Sequence, residues 1–72
     1  MSEAWNKPVF SDMAQEIAYD PDNQEMIVTW KNGRRSAYQG VSEELAMQVA
    51  LAPSVGQMIN AEIKPNYGHR YV

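Results

Sequence analysis

The sequence predicts an α+β domain in which a three-stranded antiparallel β-meander is packed on one face by two short C-terminal helices. Residues 15–39 contain three runs with strand signals, namely alternation or β-branched and aromatic enrichment, and turn-forming residues lie between the runs. From residue 41 onward the apolar spacing becomes helical, and Pro53 and Pro65 interrupt it. Because the strands come first and the helices follow, the order is typical of α+β domains.

Three strands account for residues 15–39. Residues 15–19 alternate, and the Asp-Pro-Asp-Asn run at 20–23 is turn chemistry, because proline fixes φ and Asp and Asn bond nearby backbone. Residues 25–31 are rich in the β-branched and aromatic side chains that strands favour. The dipeptide Asn32-Gly33 predicts a tight type I′ turn, after which residues 34–39 return as the third strand.

Two helices are predicted after the sheet. Ser42 is a candidate N-cap for the first, and Glu43 and Glu44 suit the positive end of its dipole. The run Ser-Val-Gly-Gln at 54–57 has the pattern of a capping box and predicts the start of the second helix. Pro65 ends that helix.

The core is expected where one face of the meander meets the two helical stripes. Burying a large apolar side chain contributes ~1.5–3 kcal/mol, whereas ordering the backbone costs ~1–2 kcal/mol per residue. A chain of 72 residues therefore needs nearly all of its large apolar side chains in the core. The expected core residues are Tyr19, Met26, Val28, Trp30, Tyr38, Leu45, Val49, Ile59 and Ile63.

The opposite face of the meander is apolar in its middle. Antiparallel sheets usually turn a clearly polar face to water, so this composition predicts a cover. The sequence leaves three alternatives for this cover: the N-terminal segment, a second copy of the chain, or a partner. The residues of this face are Glu16, Ala18, Ile27, Thr29, Arg35 and Ala37.

Composition limits the class of function. The chain has no cysteine, one histidine and a formal net charge of −3, so disulfides and thiolate metal sites are excluded. His69 lacks the partners of a zinc site, and no phosphate-binding loop, dinucleotide fingerprint or nucleophile elbow occurs. We therefore expect no catalytic residue, no metal and no cofactor, and we do not expect an enzyme. No apolar run has membrane length, and the cysteine-free composition suits the cytoplasm.

The chain is expected to divide into an extended or flexible arm at 1–12, an α+β domain at 13–67 and a tail at 68–72. The arm has no clear periodicity but carries large apolar side chains, and aromatic anchors dominate protein interfaces. Two basic residues beside the predicted hairpin could pair with acidic groups of a partner. The candidate partner-binding residues are Trp5, Val9, Phe10, Arg34 and Arg35. The alternative is that the arm packs on its own sheet.

Two basic clusters leave a nucleic-acid role open. Basic and aromatic side chains together can hold phosphates and stack on bases, although the acidic net charge favours simple solvation of both clusters. One cluster surrounds the hairpin, and the other alternates basic and aromatic residues near the C-terminus. They comprise Lys31, Arg34 and Arg35, and Lys64, Tyr67, His69, Arg70 and Tyr71.

An ordered set of residues from Ile17 to Tyr67 resembles the KTSC domain. The set consists of Ile17, Tyr19-Asp20-Pro21, Met26, Val28, Trp30, Gly33, Tyr38, Gly40-Val41, Leu45, Ser54, Gly56, Asn60, Ile63-Lys64 and Tyr67. KTSC domains occur at the C-terminus of some lysyl-tRNA synthetases and as free-standing bacterial and phage proteins. The chain departs from the family at Ser42, where proline is usual, at Val55, where a basic residue is usual, and at Met58 and Ile59, where aromatics are favoured.

The resemblance implies a partner class. A free-standing KTSC-like chain with an apolar arm is similar to a small phage type of transcription regulator, as in a Xanthomonas phage, that binds host bacterial RNA polymerase. Such a protein displaces the σ factor, inhibits initiation and promotes antitermination. The alternative implied by the synthetase context is an RNA- or tRNA-binding accessory module, which the loss of one basic and two aromatic residues weakens. A monomer is expected when the protein is free.

Overall fold

The computed structural model describes residues 3–72, which form one five-stranded antiparallel sheet and a helical layer on one of its faces. The strands lie in chain order across the sheet, so each strand pairs with the strand before it. Their bounds are β1 (Trp5–Pro8), β2 (Ala14–Asp20), β3 (Glu25–Trp30), β4 (Arg35–Gln39) and β5 (His69–Tyr71). The α+β class, the antiparallel meander and the helices are as predicted, but the expected number of strands, three, is wrong.

The two additional strands come from the arm and the tail. Residues 5–8 pair with β2, and residues 69–71 pair with β4, so both segments extend the sheet at its edges. The arm is thus an ordered edge strand at 5–8, and it lies beside the sheet rather than across the apolar outer face. Pro8 is tolerated because an edge strand leaves one row of backbone donors unpaired.

Helices α1 (Glu43–Ala50) and α2 (Val55–Met58) pack against the inner face, and α2 continues as a π-helical segment (Ile59–Ile63). Ser42 caps α1 as predicted, because its side chain accepts a hydrogen bond from the backbone N–H of Leu45 at 3.2 Å. The predicted capping box of α2 is absent: Ser54 makes no side-chain cap, although its carbonyl accepts from Met58 at 3.1 Å.

The core lies between the inner sheet face and the helices. Seven of the nine predicted core residues are buried: Tyr19, Met26, Val28, Tyr38, Val49, Ile59 and Ile63. Trp30 and Leu45 are partly buried and pack against the edge of this cluster. The core also takes in Val9, Ala14, Ile17, Val41, Ala46 and Val55.

The β3–β4 hairpin differs from the predicted type I′ turn. That turn requires positive φ at both central residues, whereas Gly33 has φ of +88° and Asn32 has no positive φ. The backbone N–H of Gly33 donates to the carbonyl of Trp30 at 3.0 Å, and that of Trp30 donates to the carbonyl of Arg34 at 2.8 Å. These bonds fit a three-residue loop in which Gly33 takes the left-handed position.

Candidate interaction surface

Trp5 is fixed to the domain rather than held out from it. Its indole Nε1–H donates to Oε2 of Glu43 at 3.0 Å, and its ring stacks on Tyr19 with centroids 5.9 Å apart. The side chain is half-buried at the edge of the core. Trp5 therefore fastens β1 to the start of α1, and a partner could reach only part of its surface.

The other two predicted anchors of the arm, Val9 and Phe10, differ in burial. Val9 is 9% exposed and belongs to the core, so it is a packing residue and not the exposed anchor that was expected. Its backbone N–H donates to the carbonyl of Gln15 at 3.0 Å, which holds the chain against β2. Phe10, the next residue, is 98% exposed. An aromatic ring left in water gains nothing for folding, so Phe10 is the strongest candidate anchor of the arm.

The loop that carries Phe10 lies at the same end of the sheet as the β3–β4 hairpin. The backbone N–H of Lys31 donates to the carbonyl of Met13 at 2.8 Å, which fastens the loop to the start of the hairpin. We call the exposed side chains gathered here the hairpin-end surface: Phe10, Met13, Arg34, Arg35, Tyr71 and Val72. Three of the five predicted partner-binding residues, namely Phe10, Arg34 and Arg35, thus lie at one end, and Trp5 lies at the other.

A groove opens on this surface where the two basic clusters of the sequence meet. We call it the Trp30 groove, and its lining consists of Met13, Trp30, Asn32, Arg34, Lys64 and Tyr71. The ammonium of Lys64 lies 5.5 Å from the centre of the Trp30 ring, and the guanidinium of Arg34 lies 5.9 Å from the centre of the Tyr71 ring. The indole N–H of Trp30 donates to Oγ of Ser36 at 2.9 Å, which fixes the ring.

Charge is divided between the two ends of the sheet. Four of the six Lys and Arg residues lie at the hairpin end: Lys31, Arg34, Arg35 and Lys64. The opposite end holds the turn with Asp20 and Asp22 and the start of α1 with its two glutamates. Loss of hydration raises the pKa of Tyr19 there, and the nearby Glu43 and Asp20 carboxylates raise it further. Asp12 and Glu16 also lie toward the hairpin end, so four cations there face two carboxylates, and this end is positive although the whole chain is acidic.

The outer sheet face has the composition that was predicted for it. The strand register aligns Asn6, Ala18, Ile27, Ala37 and Arg70 in one row across all five strands. Both helices and the π-helical segment pack on the inner face, so no described element lies over this row. Ala37 is nevertheless 1% exposed, because a methyl group is shielded by its larger neighbours in the sheet.

The tail residues 69–71 form β5, so their side chains alternate between the two faces of the sheet. His69 and Tyr71 lie on the inner face. The centroid of the His69 ring is 5.2 Å from that of the Tyr38 ring and 5.5 Å from that of the Tyr71 ring. Arg70 lies on the outer face, and its guanidinium pairs with Glu25 at 3.2 Å. Burial raises the pKa of the Tyr38 hydroxyl, and Tyr71 raises it further. The alternation of basic and aromatic residues in the tail is therefore the alternation of a strand.

Metal binding and membrane crossing each need a specific arrangement of residues. Among residues 3–72, no three His, Asp or Glu side chains come together as a group that could hold a metal ion. None of the helices there has the length and apolar character that crossing a membrane requires.

Comparisons with known proteins agree with the described fold. The model of the KTSC domain matches residues 10–67 of the chain. The crystal structure of a KTSC domain protein from Yersinia pestis is similar over 97% of this chain and 99% of that chain, with 28% sequence identity and a TM-score of 0.85. No curated protein matches the sequence. The match spans most of the sheet and all of the helical layer, and the chain therefore belongs to the KTSC domain family.

Proposed function

We propose that the chain is a non-catalytic binding module that docks on a bacterial protein through the hairpin-end surface. The observation that carries this proposal is the 98% exposure of Phe10 at the end of the sheet where Arg34 and Arg35 are also exposed. Aromatic and arginine side chains supply most of the binding energy at protein interfaces. The rigid sheet and the Lys31–Met13 hydrogen bond position these side chains before a partner arrives.

RNA polymerase of the host bacterium is the proposed partner. The resemblance of this KTSC-like chain with an apolar arm to a small phage regulator supports this choice, and a positive end on an acidic domain suits an acidic docking site. In this proposal the protein acts as a monomer in the bacterial cytoplasm. It displaces the σ factor, which inhibits initiation, and it promotes antitermination by the elongating enzyme.

The test compares two aromatic substitutions in the full chain. Phe10→Ala should weaken binding to purified RNA polymerase by roughly thirtyfold, which corresponds to ~2 kcal/mol for an interface anchor. The expected stability of this variant is close to that of the unmodified chain, because the ring makes almost no contact in the free protein. Trp5→Phe is the matched control: it keeps an apolar ring beside Tyr19, loses the bond to Glu43 and should bind normally. Affinity is measured by calorimetry, and folding by circular dichroism.

Two results would overturn the proposal. The first is that the unmodified chain does not bind core polymerase or holoenzyme at micromolar concentration. The second is that Phe10→Ala binds as tightly as the unmodified chain while Trp5→Phe, still folded, loses binding. In the second case the interface would lie at the acidic end of the sheet.

An RNA- or tRNA-binding accessory role is the second candidate function. The observation that favours it is the gathering of Lys31, Arg34, Arg35 and Lys64 at one end of the sheet, where they could bind phosphates. A phosphate-binding surface would give affinity that falls steeply with salt concentration. Absence of a gel shift with tRNA at ~50 mM salt and micromolar protein would remove this candidate.

A further inference from the structure

We propose that the Trp30 groove binds an acidic peptide segment of the partner, with carboxylate side chains between Arg34 and Lys64. This inference rests on the proposed function and assigns the chemistry of one part of its interface. The groove is open on the hairpin-end surface, and Met13 lines both this groove and the adjoining depression that contains Phe10. A partner that covers Phe10 can therefore extend a segment into the groove.

The two cations of the groove have no acidic partner in the described part of the chain. Neither Arg34 nor Lys64 has a carboxylate within ion-pair distance among residues 3–72, whereas Arg70 is paired with Glu25. Both cations instead lie above aromatic rings, which fixes their approximate positions. A groove with two positioned and unneutralised cations is complementary to a segment that carries carboxylates.

The same geometry argues against a nucleic-acid base as the occupant. Base stacking needs an open ring face, but Lys64 lies over the Trp30 ring and Arg34 lies over the Tyr71 ring. A base that stacked on either of these cation-covered faces would displace a cation that the phosphates would also need. The net charge of −3 further opposes a polyphosphate chain that extends beyond the groove. A short acidic peptide does not need the two ring faces that the cations cover, and it requires only a local positive region.

Apolar and amide groups complete the recognition. Met13 is 40% exposed and Tyr71 is 65% exposed, so an apolar side chain of the peptide could bury surface against both. Oδ1 of Asn32 accepts from the backbone N–H of Arg34 at 2.9 Å, which orients the side-chain amide. Its NH₂ group can then donate to a peptide carbonyl. We infer a segment of Asp and Glu residues around one apolar residue.

The experiment is an NMR titration of the ¹⁵N-labelled full chain with a short blocked peptide of Asp and Glu around a central Leu. The two indole N–H signals report on opposite ends of the sheet, since Trp30 lines the groove and Trp5 lies beside Glu43. We expect the Trp30 indole signal and the Tyr71 amide signal to shift in a saturable way, whereas the Trp5 signal stays in place. A peptide with Asn and Gln in place of Asp and Glu should leave all three signals unchanged.

Charge variants make the test specific to the groove. Arg34→Gln with Lys64→Gln should weaken peptide binding by about tenfold, because both cations of the groove are lost. Lys7→Gln removes a positive charge from β1, away from the groove, and should leave the affinity unchanged. Equal binding of the Asn/Gln peptide, an equal shift of the Trp5 signal, or no effect of the double variant would each overturn the proposal. Tighter binding of a single-stranded oligouridylate to the same signals would also overturn it.

The outcome is separable from that of the proposed function. Polymerase binding that depends on Phe10, with no peptide response in the groove, would overturn the acidic-segment inference and leave the docking proposal standing. A specific peptide response without polymerase binding would support the groove assignment and overturn polymerase as the partner.

Discussion

Tyr19 joins the sheet to the segment that enters α1. Its hydroxyl donates to the carbonyl of Val41 at 2.7 Å, and its ring is 3% exposed beneath Trp5. Burial and the carboxylates of Glu43 and Asp20 both oppose formation of a phenolate, so the pKa of Tyr19 lies above its ordinary value of 10.0. The hydrogen bond needs the protonated hydroxyl as its donor, and the raised pKa keeps that hydroxyl protonated to higher pH. Both therefore favour neutral Tyr19 in the folded state.

The raised pKa predicts loss of stability in alkali. Above about pH 10 the unfolded chain releases the Tyr19 proton while the folded chain keeps it, so the folded state binds more protons and the free energy of unfolding falls as pH rises. This stabilisation is complete below pH 10 and is lost as pH passes through the folded pKa. Tyr19→Phe should lose ~1 kcal/mol near neutral pH, since the Val41 carbonyl loses its donor. Above pH 10, the free energy of unfolding of Tyr19→Phe should fall less steeply than that of the unmodified chain.

Urea unfolding at a series of pH values between about 8 and 11 checks this prediction. Tyr38→Phe is a useful comparison, because burial also raises the pKa of Tyr38. Each single variant should remove part of the alkaline decline. The prediction fails if Tyr19→Phe follows the pH dependence of the unmodified chain in parallel.

At the scale of elements, Gly33 permits the hairpin that positions Arg34. Its φ is +88°, a conformation that costs an L-residue roughly 1–2 kcal/mol, and an added Cβ would meet no atom within 4 Å. Gly33→Ala should therefore destabilise the domain through the backbone alone, by ~1 kcal/mol. Gly68→Ala is the matched control, because that site is equally open and has no positive φ. Urea midpoints that shift equally for the two variants would contradict the prediction.

The elements that the sequence could predict are those with local signals. Strand β2 alternates, β3 is rich in β-branched and aromatic residues, and β4 follows the Asn32-Gly33 turn signal. Ser42 marks the start of α1 by a cap that the structure contains. Strand β1 has only four residues, of which Lys7 lies in the inner-facing row opposite Ile17, so its alternation is masked. Strand β5 has three exposed residues and depends on pairing with β4.

The candidate site could be predicted only in part for the same reason. Arg34 and Arg35 stand beside the Asn32-Gly33 turn signal, and Phe10 is an aromatic residue in a polar context, so local sequence identifies each of them. The groove needs Lys64 above the ring of Trp30, a contact between residues far apart in the chain. Such a contact is a product of the tertiary fold, and neither basic cluster alone indicates it.

At the scale of the whole molecule, separation of charge matters more than the net charge. The chain carries −3 overall, which would slow its approach to an acidic partner if the charge were evenly spread. The sheet instead places Arg34, Arg35, Lys31 and Lys64 at the end that also exposes Phe10. The principal dimensions are 32 × 22 × 21 Å, so even the shortest exceeds the ~8 Å Debye length of physiological salt more than twofold. A partner at the hairpin end is therefore screened from the acidic end.

This arrangement predicts that salt and charge act on the association rate, whereas Phe10 acts on the dissociation rate. Arg35→Gln should slow association with RNA polymerase several-fold at low salt, and the difference should vanish above roughly 0.5 M salt because the charges are exposed and screened. Lys7→Gln removes the same charge from β1 and should change the rate less. Phe10→Ala should speed dissociation at every salt concentration, since its contribution is apolar. Surface plasmon resonance with each full-length variant gives both rates. If Lys7→Gln and Arg35→Gln slow association equally, net charge rather than its placement governs the encounter, and docking through the hairpin end loses its electrostatic basis.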